Sequence, residues 1–287
     1  MVTTCPCGSS ERDDAAARHM WRCRRCGLLS PVNPPHSPDQ AVWYETEYWK
    51  LNYEEQTGPG RDNLYAHALS WLNRLLPGRG TVLDVGCGGG RFLSLCRAER
   101  WKAIGVEPSR DAAVYARQRG LEVYNQAWPV LSIADESADA VTFINVLDHL
   151  HDPFEALHEA ARVLKPGGLL YIRVPNALLH AWLKRVFAHV GLEEVAVLHL
   201  YGFGPRTFSR LLPPFGFVPL TVRTSPPAQG HAYEHGSVLR AWGYAVLKLT
   251  DRLLYWTSRL LGFDRLRWGL SLEVLARKTS VSSGAHL

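Results

Sequence analysis

No stretch of this sequence stays apolar for the roughly 20 residues that a membrane-spanning helix needs. The opening Met1-Val2-Thr3-Thr4-Cys5 lacks the apolar core of a secretion signal. These two absences predict a cytoplasmic location. Charge of one sign is scarce as well. The 32 Lys and Arg against 27 Asp and Glu leave a formal +5, too small a surplus to argue for nucleic acid by itself. There is no internal repeat, and residues 279–287 are the one low-complexity piece, which excludes repeat arrays. Apolar residues at 46% and charged residues at 21% exclude wholesale disorder. The 287 residues suit one large domain with an appendage, or two modest domains.

Cysteine is sparse and uneven. Of six, Cys5, Cys7, Cys23 and Cys26 open the chain, while Cys87 and Cys96 lie far downstream. In a reducing compartment these are thiols or metal ligands rather than disulfides. Cys5-Pro6-Cys7 and Cys23-Arg24-Arg25-Cys26 supply four thiolates in two turns, the donor set of a tetrahedral structural zinc. A segment of about thirty residues has too small a core to fold without such a staple. Cys-x-Cys is tighter than the usual Cys-x-x-Cys, and unliganded thiols in a tail are the alternative. Cys87 and Cys96 read as small packed residues.

Four prolines fall between Ser30 and Pro38 and cannot continue a helix or a central strand. The predicted organisation is a zinc-ribbon-like segment over residues 1–30, then a linker and aromatic segment over 31–60. A main domain over 61–278 follows, with apolar insertions at 177–204 and 225–269, and then the tail. In the main domain short apolar runs alternate with helical stretches. Strands are expected at 81–85, 103–106, 121–124, 140–146, 169–174, 217–223 and 270–276. Helices are expected at 61–76, 91–100, 109–120, 152–164, 177–190 and 206–212, with Pro166-Gly167-Gly168 ending the fourth. The fold class is α/β, a doubly wound, mostly parallel seven-stranded sheet covered on both faces. Residues 238–261 form an amphipathic helix. Arg240, Lys248, Arg252 and Arg259 share one face, and Leu249, Leu253 and Trp256 lie away from it.

The most informative run is Asp84-Val85-Gly86-Cys87-Gly88-Gly89-Gly90. A strand ends in a glycine loop and a helix follows, so backbone comes close to a ligand and free N–H groups face it. The spacing is Asp-x-Gly-x-Gly-x-Gly rather than the dinucleotide Gly-x-Gly-x-x-Gly. Glu107 ends the next strand, where a carboxylate can accept hydrogen bonds from both ribose hydroxyls. Apart from Arg91, basic residues are missing around the loop, which favours a nucleoside without phosphates.

With the loop, Glu107, the block Ser137-Ala138-Asp139-Ala140-Val141, the run Val146–Pro153 and Leu164-Lys165-Pro166-Gly167-Gly168-Leu169, the sequence resembles the class I S-adenosylmethionine-dependent methyltransferases. The resemblance is to their ubiquinone-pathway-like branch and spans residues 62–277. It implies methyl transfer from S-adenosylmethionine. It also implies that backbone around Gly86, Cys87, Gly88 and Gly90 holds the cofactor's amino-acid end and that Asp84 supports the loop. Glu107 would bind the ribose, and Asn145 would lie beside the methionine end. Two departures stand out. Asn125-Gln126-Ala127-Trp128 replaces the acidic residue that often meets the adenine amine, so Gln126 or backbone near Ala127 substitutes. The family's usual Glu-His is Asp148-His149 here. Tyr44, Tyr48 and Arg61 belong to a segment that folds over the cofactor in similar enzymes, while Trp43 and Trp49 read as core packing.

Transfer to a hydroxyl needs an aligned acceptor and a base. His149, beside Asp148, and His199 or Tyr201 in the run His199–Thr207 are the candidates. A small-molecule, sugar or lipid-linked acceptor is expected, methylated at oxygen. Nucleic acid is disfavoured because Glu45, Glu47, Glu54 and Glu55 would repel phosphates. An rRNA or tRNA base methyltransferase and a non-catalytic interaction module are the alternatives. For residues 238–261 a membrane surface at the inner face, a dimer interface and packing over the sheet edge all remain open.

Overall fold

The computed structural model describes residues 5–14, 20–32, 46–130, 132–189, 199–229, 238–260 and 269–280. Tyr44, Trp43 and nearly all of the proline linker lie outside the described residues.

The N-terminal cysteines sit on a small antiparallel sheet of β1 (Arg12–Asp14), β2 (Met20–Cys23) and β3 (Leu29–Pro31), in that order. Two short helices follow, α1 (Tyr48–Leu51) and α2 (Tyr53–Thr57), then the long α3 (Asp62–Leu75). The helix α3 buries Leu64, Ala68 and Leu72, the stripe that its spacing predicts.

The main sheet has β4 (Thr81–Val85), β5 (Lys102–Val106), β6 (Glu122–Tyr124), β7 (Ala138–Ile144), β8 (Leu164–Pro175), β9 (Phe217–Thr224) and β10 (Ser271–Lys278). Its order is β6-β5-β4-β7-β8-β10-β9, and β10 runs antiparallel to both neighbours. Strands β4 and β7 are almost wholly buried, as strands covered by helices on both faces must be. Helices α4 (Arg91–Ala98) and α5 (Arg110–Gln118) connect β4 to β5 and β5 to β6, and α6 (Pro153–Val163) precedes β8. Asp152 caps α6 by accepting from the Phe154 and Glu155 amides at 2.8 and 2.9 Å, a cap worth about 1 kcal/mol. The chain leaves β4 toward β5 on one side and returns to β7 on the other. The crevice where ligands bind in open α/β sheets is therefore at the carboxyl ends of β4, β5 and β7.

One expectation changes. Pro166-Gly167-Gly168 does not end α6. That helix stops at Val163, and the three residues lie within β8, where Gly167 supplies a positive φ of 77° and the register against β7 shifts. The C-terminal insertion forms α9 (Val238–Leu260), and among its described side chains much of the apolar face is exposed. Helices α7 (Ala177–Ala188) and α8 (Thr207–Leu211) come before it. On α9, Leu249, Leu253, Trp256 and Leu260 are exposed, while Asp251 and Tyr255 are buried. One cause is on the inner side: the Asp251 carboxylate accepts the Leu270 amide at 2.9 Å, which turns that side of the helix toward β10. Among the described residues no helix is long and apolar enough to cross a membrane.

Candidate active site

The ends of β4, β5 and β7 open into a cavity of about 540 Å³, within the roughly 300–1,000 Å³ range of small-molecule sites. Its floor is the glycine loop. Gly86 and Gly88 take positive φ values of 71° and 53°, and a Cβ on either would collide, with Val146 at 2.5 Å and with Gln56 at 2.4 Å. At Gly86 the packed Val146 leaves no room for a side chain, and at Gly88, where the Gln56 end can move, the positive φ is what favours glycine. The amides of Gly86, Cys87 and Gly88 are committed internally. Gly86 and Cys87 donate to the Val106 carbonyl, and Gly88 donates to Glu107 Oε2 at 2.8 Å. The glycines therefore contribute room for a ligand more than free donors. Gly90 is not on the cavity wall. It starts α4 in a left-handed conformation and its missing Cβ makes room for Leu121.

Glu107 is buried and tied at both oxygens, to Gly88 and to the Ser109 amide at 2.9 Å. Burial pushes its carboxyl up, and the two amides oppose that shift. A carboxylate has further lone pairs, so Glu107, on the cavity wall, can still accept from ligand hydroxyls. Asp84 accepts from the Thr142 hydroxyl at 2.6 Å, and burial pushes it up to about 7. It thus locks β4 to β7 beneath the loop. Asn145 has φ of 59° and accepts from the Arg173 guanidinium, and its own amide donates to the Arg173 carbonyl. Arg91 is taken up by a two-point pair with Asp62 at 2.5 and 2.8 Å, so it braces α3 against α4.

Tyr48 and Arg61 line the cavity, but Gln126 is exposed and lies outside its lining. Asn125 donates to the carbonyls of Glu107 and Pro108, which turns the next side chain outward and leaves Ala127 and Trp128 as the wall. Trp49, read as core packing, is buried and also faces the cavity. Its ring lies over Gly89, whose Cβ would come within 2.8 Å, and beside Tyr115 at 5.3 Å. Gln56, Ser109 and Leu200 line the site too and carry no motif that marks them in the sequence.

At the far end Asp148, His149 and His199 come together. The Nε2 atoms of both histidines lie 3.7 Å from Asp148 Oδ2, and the rings are 3.7 Å apart. His149 lines the cavity. Both Asp148 oxygens are buried without a hydrogen-bond partner, and burial pushes the carboxyl up to about 6. Burial also drives both histidines down to about 4, helped by the Arg61 charge for His149 and by its histidine neighbour for His199. Neutral imidazoles beside a carboxylate can take up a proton. Tyr201 is outside this group. Its ring packs in the core against Phe154, its hydroxyl reaches the His151 carbonyl at 3.4 Å, and it is not part of the cavity lining.

The four N-terminal thiols converge so that all sulfur atoms lie within 4.8 Å of one another, with Cys5–Cys26 and Cys7–Cys23 each at 3.6 Å. A tetrahedron of sulfurs about 2.3 Å from zinc has edges of about 3.8 Å, so the donor set fits the metal. Cys26 is pulled down to about 6, by the hydrogen bond from Cys5 first, with a contribution from the Leu28 amide. Gly27 provides the positive φ of 77° that the turn requires.

Residues 61–222 match the family model described as a methyltransferase domain. The chain belongs to the class I S-adenosylmethionine-dependent methyltransferase family. The methyltransferase is 28% identical over 156 residues to the ubiquinone biosynthesis O-methyltransferase of Aliivibrio fischeri, across 52% of this chain and 64% of that protein. It is 34% identical over 133 residues to the Idiomarina loihiensis enzyme of the same name, across 44% of this chain and 51% of that one. The chain thus spans between half and two thirds of the length of these relatives. A chain of the complex between the Haloferax volcanii Trm112 methyltransferase activator and a methyltransferase superposes with a TM-score of 0.60 at 17% identity. That match covers 84% of this chain and 100% of the other and shows the shared fold.

Proposed function

We propose that this methyltransferase moves the methyl group of S-adenosylmethionine to an oxygen of a small-molecule acceptor, sugar and lipid-linked acceptors included. The observation that carries the reading is the cavity with Glu107 and the glycine loop at one end and the His149–Asp148–His199 group at the other. When bound, S-adenosylmethionine supplies an electrophilic methyl on a charged sulfur. Glu107 would hold the ribose, Trp49 and Trp128 would exclude water, and Ala127 would lie on the adenine side. His149, kept neutral by its desolvated setting, accepts the acceptor's proton, and the buried Asp148 carboxylate stabilises the imidazolium that forms. The relatives named for ubiquinone biosynthesis support oxygen as the methylated atom. The four-thiol ribbon is read as a structural zinc site.

Calorimetric titration with S-adenosylhomocysteine tests the cofactor half. One-to-one binding is expected. The absence of any heat, together with no thermal stabilisation by the ligand, rejects it.

A further inference from the structure

The ribbon does more than cap the N-terminus. Its hydrogen bonds to the main domain, among the described residues, run to one segment. Leu29 and Gly202 exchange both backbone bonds, at 2.8 and 2.9 Å. Thr207 Oγ1 donates to the Cys26 carbonyl at 3.1 Å while accepting the Gly204 amide at 3.0 Å. Thr207 is fully buried, and Cys23, Cys26 and Leu28 share one core with Tyr201, Phe203 and Phe208. The contact is close. A Cβ on Gly202 would sit 2.9 Å from the Leu29 Cβ and 2.7 Å from the Ala177 Cβ. The opposite side of the same segment faces the site: the Tyr201 amide donates to the Asp148 carbonyl at 3.2 Å, and Leu200 lines the cavity. Residues 199–207 are therefore clamped between the ribbon backbone at Cys26 and Leu29 and the Asp148 turn.

We infer that the cysteine ribbon is a positioning element of the acceptor wall: through Cys26–Thr207 and Leu29–Gly202 it holds His199 against Asp148, so that loosening the ribbon disorders the acceptor side while the cofactor side stays formed. The wall's acceptor role rests on the function proposed above. The physical case for the clamp is the number of fixed points. The segment keeps one conformation because Tyr201 and Phe203 are buried in the core it shares with the ribbon and its backbone is tied at both faces. The cofactor side is fixed separately, by Glu107 on Gly88 and Ser109 and by Asp84 on Thr142.

The test compares the full chain with Thr207→Val, Thr207→Ser and Cys26→Ser. The readouts are metal analysis, amide hydrogen exchange, the imidazole resonance of His199 and titration with S-adenosylhomocysteine. Thr207→Val keeps the shape and all four thiols but leaves the Gly204 amide and the Cys26 carbonyl unpaired. It is expected to retain zinc, to exchange the amides of residues 200–203 roughly tenfold faster and to shift the His199 resonance toward that of an exposed histidine. Thr207→Ser, with the hydroxyl restored, returns both to wild type. Cys26→Ser, with zinc lost, shows the same or a larger effect. In every variant S-adenosylhomocysteine affinity stays within about twofold. Wild-type exchange and an unmoved His199 resonance in Thr207→Val overturn the inference, and so does a parallel loss of S-adenosylhomocysteine binding, which makes the ribbon a support of the whole domain. If the unaltered chain binds no S-adenosylhomocysteine yet the exchange pattern appears, the cofactor reading fails and the clamp stands.

Discussion

Replacing Glu107 by alanine is expected to weaken S-adenosylhomocysteine binding by about a hundredfold or more. Two ribose hydroxyls donating to a charged acceptor contribute about 1.5–3 kcal/mol each, and a loss of about 3 kcal/mol corresponds to roughly a hundredfold. The substitution also strips the Gly88 and Ser109 amides of their acceptor. The loop floor should then loosen on the cofactor side, a second cost in the same direction. Far-ultraviolet circular dichroism should be unchanged, because neither amide belongs to a strand. An affinity within threefold of the unaltered chain would remove Glu107 from the ribose site.

The second large effect is on stability and has the opposite sign to its effect on turnover. Asp148 is buried with both oxygens unpaired, and its carboxyl is raised to about 6 from about 3.9 when unfolded. The folded chain therefore binds this proton more tightly than the unfolded chain. Asp148 costs nothing below about pH 4, and its cost grows through the window from about 4 to 6 and is complete above it. About two units at 1.36 kcal/mol each set a ceiling near 3 kcal/mol. Asp148→Asn should then stabilise the protein by about 2 kcal/mol at pH 8, a rise of roughly 5 °C in Tm, with the advantage vanishing near pH 4. His149, His199 and His180, all lowered to about 4 by burial, act the other way. Their stabilisation is present above about 6.5 and is lost as pH falls toward 4. The histidines and the raised carboxylates of Asp148 and Asp84 thus offset one another in acid, and the Asp148→Asn variant should show a steeper acid loss than the parent. Turnover should fall by about ten- to a hundredfold, since the imidazolium loses its counter-charge. Denaturant titrations at pH 8 and pH 4 decide this. A variant less stable than the parent at pH 8 would mean that the carboxylate has a cationic partner.

Much of the architecture is legible in the sequence, because buried parallel strands leave short apolar runs and the glycine loop has a spacing that sterics enforce. The failures have local causes. Position along the chain points to Gln126, but the two hydrogen bonds of Asn125 decide which neighbouring side chain faces the cavity. The periodicity of α9 marks an apolar face without saying which side is inward, and one carboxylate, Asp251 on the Leu270 amide, fixes a buried side. Tyr201 and His199 are two residues apart on one segment and point to different places, since the ribbon bridge at Gly202 sets the backbone there. The meeting of His149 with His199 joins residues about fifty positions apart, and no local pattern encodes it.

Methyl transfer itself is the most direct test. The full chain is incubated with S-adenosylmethionine labelled in the methyl group and with cell extract separated into apolar, sugar and RNA fractions. Label is expected in an apolar or sugar small-molecule fraction, reduced about a hundredfold or more by His149→Ala. Label carried by RNA, or no transfer to any fraction from a chain that binds S-adenosylmethionine, would contradict the proposed function.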